Sequence, residues 1–63
     1  MKVKEVIKII ENDRWYFSRQ KGSHMVYKHP VKQGIVVIPN HGLNHDIPIG
    51  TLASILKQAE LKK

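Results

Sequence analysis

Four consecutive β-branched residues constrain the fold of this chain more than any other feature of its sequence. They occupy residues 35–38 as Ile-Val-Val-Ile, with Gly34 before them and Pro39 after them. β-Branched side chains favour the pleated backbone of a strand, and proline ends a ladder because it has no N–H to donate. The run therefore predicts a strand, around which the rest of the chain has to be arranged.

Two more segments with strand character precede this run. The first covers residues 15–19 and opens on three aromatic side chains, and the second covers residues 25–29 and ends before Pro30. Glycine-containing turns at residues 21–23 and 32–34 separate the three strands, because glycine accepts the positive φ that tight turns need. Short turns between successive strands predict an antiparallel meander.

Apolar residues at helical spacing stand on both sides of the predicted strands. The first stripe predicts a helix over residues 2–12 and the second a helix over residues 48–60, because each repeats at intervals of three and four. Asp46 is placed to cap the second helix and Pro48 to form its first turn, while the lysines at residues 62–63 complement its dipole. The stripes are Val3, Val6, Ile7 and Ile10, and Ile49, Leu52, Ala53, Leu56 and Ala59.

The order of elements, α-β-β-β-α, predicts a two-layer α+β fold. Both helices are expected on one face of a three-stranded antiparallel sheet. Residues 1–63 are too few for more than one domain, and a domain of this size buries only about 60% of the surface of its unfolded chain. We therefore expect modest stability, to which a bound partner adds.

Basic residues outnumber acidic ones by more than two to one. Eleven Lys and Arg against five Asp and Glu give a net charge of +6, and the resulting positive field attracts polyanions. Nucleic acid is the first candidate partner and an acidic protein the second. A membrane surface ranks third, because the sequence shows no long amphipathic helix with a basic face. The alternative is that the lysines only keep a small domain soluble.

The chain has no cysteine. A disulfide framework and a thiolate metal site are therefore excluded, which fits a reducing compartment. The sequence has no apolar leader segment after Met1 and no apolar run long enough to span a bilayer. We expect a cytoplasmic protein without a membrane partner.

Histidine is the most promising catalytic residue type here, because its side chain exchanges a proton near neutral pH. His24 follows the turn at Gly22 and begins the second predicted strand. A hairpin brings Arg19, Lys21 and Lys28 near it, and such cations can hold a phosphate. RNA supplies its own nucleophile, the 2′-hydroxyl, so one histidine among cations can support cleavage without a metal. Taken alone, however, a histidine at a turn is more often a solvated surface residue.

The remaining histidines give weaker signals. His41 and His45 have the spacing of two zinc ligands on a helix, but they lie in a polar loop without a third ligand. We therefore expect no metal and no other cofactor. His29, beside Pro30, is interpreted as a strand-end residue. The carboxylates form no acid–base pair by their spacing.

The aromatic residues divide between core and surface. Alternation along the first strand places Trp15 and Phe17 on one face and Tyr16 on the other, and we expect Phe17 in the core. The positions of Tyr16 and Tyr27 are left open, since an exposed aromatic ring can also stack on a base.

Three motifs, in order along the chain, resemble those of HicA toxins, also called YcfA-like proteins. The first is Arg-Gln-Lys-Gly-Ser-His at residues 19–24, followed by Tyr27. The second is Ile-Pro-Asn-His at residues 38–41, and the third is Gly-Thr-Leu-Ala-Ser-Ile-Leu-Lys-Gln-Ala at residues 50–59. The likeness extends over almost the whole chain.

The resemblance implies a fold like that of double-stranded-RNA-binding domains and a toxin of a type II toxin–antitoxin pair. The activity it implies is that of a translation-independent mRNA interferase, an endoribonuclease. His24 corresponds to the catalytic histidine of the family's Gly-Ser-His motif, and a HicB-type antitoxin is expected to mask it. With the charge pattern added, the predicted RNA-binding residues are Arg19, Lys21, Gly22, Ser23, Lys28 and His41.

The chain also departs from the family pattern at three positions. Related sequences often have glycine near the places where Arg14 and Glu60 stand, and a basic residue where Ala53 stands. These differences imply a weaker RNA affinity or an altered helix end.

Two other functions compete with RNA cleavage at this point. One is a non-catalytic RNA-binding module of the same fold, which the charge supports equally well. The other is a protein-binding domain whose basic face meets an acidic partner.

Overall fold

The computed structural model describes residues 1–61 and contains every predicted element in the predicted order, α-β-β-β-α. Each end lies within two residues of its predicted place. The lysines at residues 62–63, which are predicted to complement the dipole of the second helix, lie outside the described residues. The elements are α1 (Val3–Asn12), β1 (Tyr16–Lys21), β2 (His24–Lys28), β3 (Val36–Pro39) and α2 (Ile49–Gln58).

The three strands form one antiparallel sheet in the order β1-β2-β3, which confirms the predicted meander. β1 begins one residue later than predicted, at Tyr16. The reason is that the Trp15 N–H donates to the Ile10 carbonyl at 3.1 Å and so closes the preceding helix. At the outer edge of β3, the Val37 N–H donates to the Gln58 side chain at 3.0 Å, so α2 satisfies a backbone group that an edge strand leaves open.

One face of the sheet carries the core. Met25 pairs with Ile38 and Tyr27 with Val36, and residues that pair directly project from the same face. These side chains are buried together with residues of both helices, so both helices lie on this face, as predicted. Burying one aliphatic side chain stabilises a fold by about 1.5–3 kcal/mol. The core comprises Val3, Val6, Ile10, Trp15, Met25, Tyr27, Val36, Ile38, Ile47, Ile55 and Ala59.

Phe17 is not in the core, and the prediction that placed it there is wrong. Its side chain is 51% exposed, and its ring meets that of Tyr27 edge-on, with centroids 5.8 Å apart. β1 is an outer strand of the sheet, so Phe17 lies at the rim of the helix-covered face. Trp15, which is 1% exposed, and Tyr27, which is 3% exposed, are the aromatic residues of the core.

The cap predicted from Asp46 is also wrong. The N-cap of α2 is Pro48, and no side chain caps this helix. Asp46 forms a backbone bridge with Lys2, and its carboxylate lies 4.0 Å from the N-terminal ammonium. The side chain of the N-cap residue is the one placed to accept the N–H groups of the first turn, and Asp46 stands two residues before the N-cap.

Both helices end in a Schellman turn. After α1, the N–H of Arg14 donates to the Glu11 carbonyl and that of Trp15 to the Ile10 carbonyl, and the end of α2 repeats this pattern around Glu60. The residue at the centre of each turn has a left-handed backbone, with φ of 77° at Arg14 and 59° at Glu60. Glycine suits this conformation best, so Arg14 and Glu60, the two positions near which the resemblance implies glycine, have a strained backbone.

Replacing these residues with glycine is therefore expected to stabilise the fold. Arg14→Gly and Glu60→Gly should each raise the free energy of unfolding by about 0.5–1 kcal/mol. A left-handed backbone costs a residue with a Cβ about 1–2 kcal/mol, and part of the gain from glycine is offset by its greater conformational freedom in the unfolded chain. Urea unfolding measures the change. The control is Lys57→Gly inside α2, which should lower stability by about 1 kcal/mol. A loss of stability in all three variants would show that the turns are not strained.

Candidate functional site

The face of the sheet turned away from the helices carries the predicted catalytic histidine. Residues that alternate with core residues along a strand project to the opposite side of the sheet. Three cations, a histidine and a tyrosine share this side, which we call the open face: Tyr16, Arg19, Lys21, His24 and Lys28. Across the strands, the rows of this face are Lys21–His24–Pro39, Arg19–Val26–Val37 and Tyr16–Lys28.

A β-bulge at Ser18 decides which side chains of β1 reach the open face. The register with β2 shifts between Phe17 and Arg19, leaving Ser18 as the extra residue. Strict alternation would place Arg19 and Lys21 on the same side as Phe17, towards the helices. Because the extra residue reverses the alternation, both cations lie on the side of His24.

His24 is the first residue of β2 and its side chain is exposed. It follows the two-residue turn of Gly22 and Ser23, where Gly22 has φ of 60°, a conformation that favours glycine. The Ser23 carbonyl accepts the Asn40 N–H at 2.6 Å, so the turn is fastened to the end of β3. The turn thus fixes the backbone of His24 at the edge of the open face, where its imidazole is exposed.

The structure brings together most, but not all, of the predicted site residues. Lys21 is the direct register partner of His24, and Arg19 and Lys28 lie in the next two rows of the same face. His41 is separate from them, since it lies in the loop that follows β3. An exposed imidazole beside cations can exchange a proton with a bound phosphoester, while the cations compensate the phosphate charge.

Comparison with known families identifies the chain. A family model described as the HicA toxin of bacterial toxin–antitoxin pairs matches residues 3–61. The chain belongs to the HicA toxin family. It is therefore a toxin of a toxin–antitoxin system, and the family implies an antitoxin partner. Comparison with curated proteins gives no match.

The two tyrosines of this HicA-family toxin lie in different environments. Tyr16 is half-exposed on the open face, whereas Tyr27 is in the core. Burial raises the pKa of the Tyr27 phenol, and the charge of Glu11 adds to this effect. Because Tyr16 is the exposed one of the two, it is the tyrosine that a nucleobase can reach.

His29 is a structural residue of the toxin. Its side chain is 6% exposed, and its Nδ1 accepts the N–H groups of Val31 at 3.0 Å and Lys32 at 2.9 Å. Nε2 therefore carries the proton and donates to the Asp13 carbonyl at 2.6 Å. Both ring nitrogens are occupied, and His29 lies one residue beyond the end of β2, close to the strand end that the sequence predicts.

A lysine links the C-terminal ends of both helices to the loop between β2 and β3. The Lys32 ammonium forms an ion pair with the Asp13 carboxylate and donates to the Ala59 carbonyl at 3.1 Å. Asp13 is the C-cap of α1 and Ala59 that of α2. The hydrogen bond from Lys32 holds the pKa of the Asp13 carboxyl below its usual value.

The described part of the chain contains neither a candidate metal site nor a helix that could span a membrane. Within residues 1–61, no three His, Asp or Glu side chains stand close enough together to hold a metal ion. No helix in that range is both long enough and apolar enough to cross a bilayer.

The lowered pKa of Asp13 predicts a specific dependence of stability on pH. The ionised carboxylate is favoured in the folded state, so its contribution is full above the unfolded pKa of about 3.9 and is lost as the pH falls through the lower folded value. Asp13→Asn should therefore be less stable than the parent toxin at neutral pH, and the difference should shrink below about pH 4. Thermal unfolding over a series of pH values measures this. A difference that stays constant into acid would contradict the ion pair.

Proposed function

We propose that this toxin is an endoribonuclease that cleaves mRNA independently of translation, with His24 as its catalytic residue. The observation that supports this most strongly is the open face itself, where an exposed histidine stands beside a direct cationic partner, Lys21. The toxin family gives the reason to look for an activity that harms the cell. Such an enzyme of a type II pair acts in the cytoplasm, where mRNA is found.

The proposed reaction uses the nucleophile that RNA carries. The 2′-hydroxyl oxygen attacks the phosphorus and loses its proton to a base, while the bond from phosphorus to the leaving 5′-oxygen breaks and that oxygen gains a proton from an acid. His24 performs one of these two proton transfers as general base or general acid. Arg19, Lys21 and Lys28 stabilise the charge on the phosphorane oxygens, and no metal is needed.

RNA binding is proposed to extend beyond the cations. The turn of Gly22 and Ser23 is exposed, so its backbone groups can approach a phosphate closely where Gly22 has no side chain. His41 matches the family's Pro-x-His position and is proposed to touch RNA from the loop after β3.

The antitoxin partner is proposed to be of the HicB type and to cover His24. Neither helix covers the open face, and its catalytic candidate is exposed, so a partner can inhibit the toxin simply by lying over the sheet. The positive charge of this face favours an acidic surface on that partner.

Replacing His24 distinguishes a catalytic toxin from a non-catalytic RNA-binding module. His24→Ala should lower the cleavage rate by about 10²–10⁴-fold, whereas RNA affinity and the melting temperature should stay close to those of the parent, because the side chain is exposed. A labelled mRNA fragment incubated with each protein in the presence of a chelator measures cleavage. The control is Lys8→Ala, an exposed position on α1, which should leave cleavage unchanged.

Either of two outcomes would overturn the proposal. Cleavage by His24→Ala at the parent rate would exclude His24 as the catalytic residue. Salt-sensitive binding of RNA by the parent toxin without any cleavage product would instead favour the non-catalytic RNA-binding module.

A further inference from the structure

A cleft lies where the end of β3 meets the start of α2. Its volume is about 340 Å³, which falls in the range of small-molecule sites. Of the residues that line it, only His41 has been given a role in RNA binding above. The lining residues are Pro39, His41, His45, Ile47, Pro48 and Thr51.

The loop that carries both histidines is fastened to the fold. The His45 carbonyl accepts the N–H of Val3 at 2.9 Å, and the Leu43 carbonyl accepts the N–H of Lys4 at 3.0 Å. The His45 N–H in turn donates to the Gly42 carbonyl at 3.1 Å. Because the first turn of α1 needs acceptors for its free N–H groups, this loop and the helix hold each other in place. The cleft is thus formed before any ligand arrives.

The lining of the cleft combines apolar walls with a few polar groups. Proline and isoleucine side chains form much of its surface, and two imidazoles stand in it with ring centroids 5.6 Å apart and planes inclined by 65°. Both histidines are exposed. The Thr51 hydroxyl adds a group that can donate and accept hydrogen bonds. A flat heteroaromatic ring with polar edges fits such a lining, since bases stack on histidine and other ring side chains and are read along their edges.

The cleft adjoins the row of the open face that contains His24. Pro39, one wall of the cleft, is the register partner of His24. The next residue, Asn40, donates its N–H to the carbonyl of Ser23 at 2.6 Å. On the other side of His24 stands Lys21 of β1. A phosphate at His24 therefore has a cation on one side and the cleft on the other.

We propose that this cleft binds one nucleobase of single-stranded RNA, that of a nucleotide flanking the scissile phosphate. His45 stacks on or beside the base and Thr51 contacts its polar edge, so these two residues join His41 as RNA-contacting residues. The proposal rests on the proposed function of the open face, because it takes the position of the scissile phosphate from His24. It assigns base recognition to the loop and α2, and phosphate recognition to the sheet.

A titration with mononucleotides tests the cleft without any need for cleavage. Backbone amide signals of the ¹⁵N-labelled parent toxin are followed by NMR as a nucleoside 5′-monophosphate is added, and again with ribose 5-phosphate, which lacks a base. The expected result is that the amides of His41, His45 and Thr51 shift with nucleotides and not with ribose 5-phosphate. Equal shifts with both compounds would show a phosphate site, and an absence of shifts in the cleft would show no site; either result overturns the proposal.

A comparison of variants with modified RNA then tests the role in cleavage. His45→Ala should raise KM for an RNA substrate about ten-fold, the effect of losing one stacked base, and leave kcat unchanged. Two further substrates lack the base of the nucleotide on one side or the other of the scissile phosphate. With the substrate that lacks the base bound in the cleft, His45→Ala should cause no further rise in KM. The control is Ile49→Ala, which removes a side chain 84% exposed beside the cleft and should leave KM unchanged.

The two proposals fail in different ways. If the parent toxin cleaves no RNA but nucleotides shift the cleft signals, the proposed function fails and the base-binding cleft stands. If the parent cleaves RNA and His45→Ala raises KM for intact and abasic RNA equally, the proposed enzyme stands and the cleft is not a base site.

Discussion

Two short helices can cover only one face of a three-stranded sheet, and this limit shapes the whole molecule. The apolar residues of α1 and α2 meet those of β2 and β3 on one side and form the single core. Neither α1 nor α2 covers the other side of the sheet, where Val26 is only 5% exposed but the cations and His24 are exposed. Charged residues can therefore collect there without the cost of removing them from water. The fold thus leaves one face of the sheet open, and the basic residues and the exposed histidine lie on it.

The bulge at Ser18 turns this general property into a specific site. Before the bulge, β1 follows the alternation that places Phe17 on the helix-covered side. After it, Arg19 and Lys21 point the other way and lie in the rows of Val26 and His24. One extra residue therefore groups the cations with the histidine, and a bulge of this kind is a common device for redirecting side chains beside functional sites. The same strand also contributes Tyr16, the tyrosine exposed on that face.

Much of the fold could be predicted from the sequence, because its signals are local. The stripe of Val3, Val6 and Ile10 and the β-branched run before Pro39 each specify one element, and short turns specify their pairing. The errors have different causes. Trp15 closes the turn after α1 through a local hydrogen bond to Ile10, so β1 begins later and Phe17 lies at the sheet's rim. Asp46 is held by the start of the chain and not by α2. The apolar stripe predicted for α2 is also partly wrong, since Ile49 is 84% exposed and Ile55 is the residue that α2 buries. The candidate site was predictable only in part: the motif identifies His24, but the bulge that supplies its neighbours and the cleft around His45 depend on tertiary packing, which no spacing along the chain reveals.

We expect the cations of the open face, and not those of α1, to contact the RNA backbone. The salt dependence of RNA affinity in two double variants tests this expectation: Arg19→Gln with Lys21→Gln on the open face, and Lys4→Gln with Lys8→Gln on α1. Each phosphate contact contributes about 0.7 to the slope of log affinity against log salt for a single strand, so the first variant should lose about 1.4 from that slope and the second should match the parent toxin. An unchanged slope in the open-face variant, or an equal loss in both, would show that the open face is not the surface that contacts the RNA backbone.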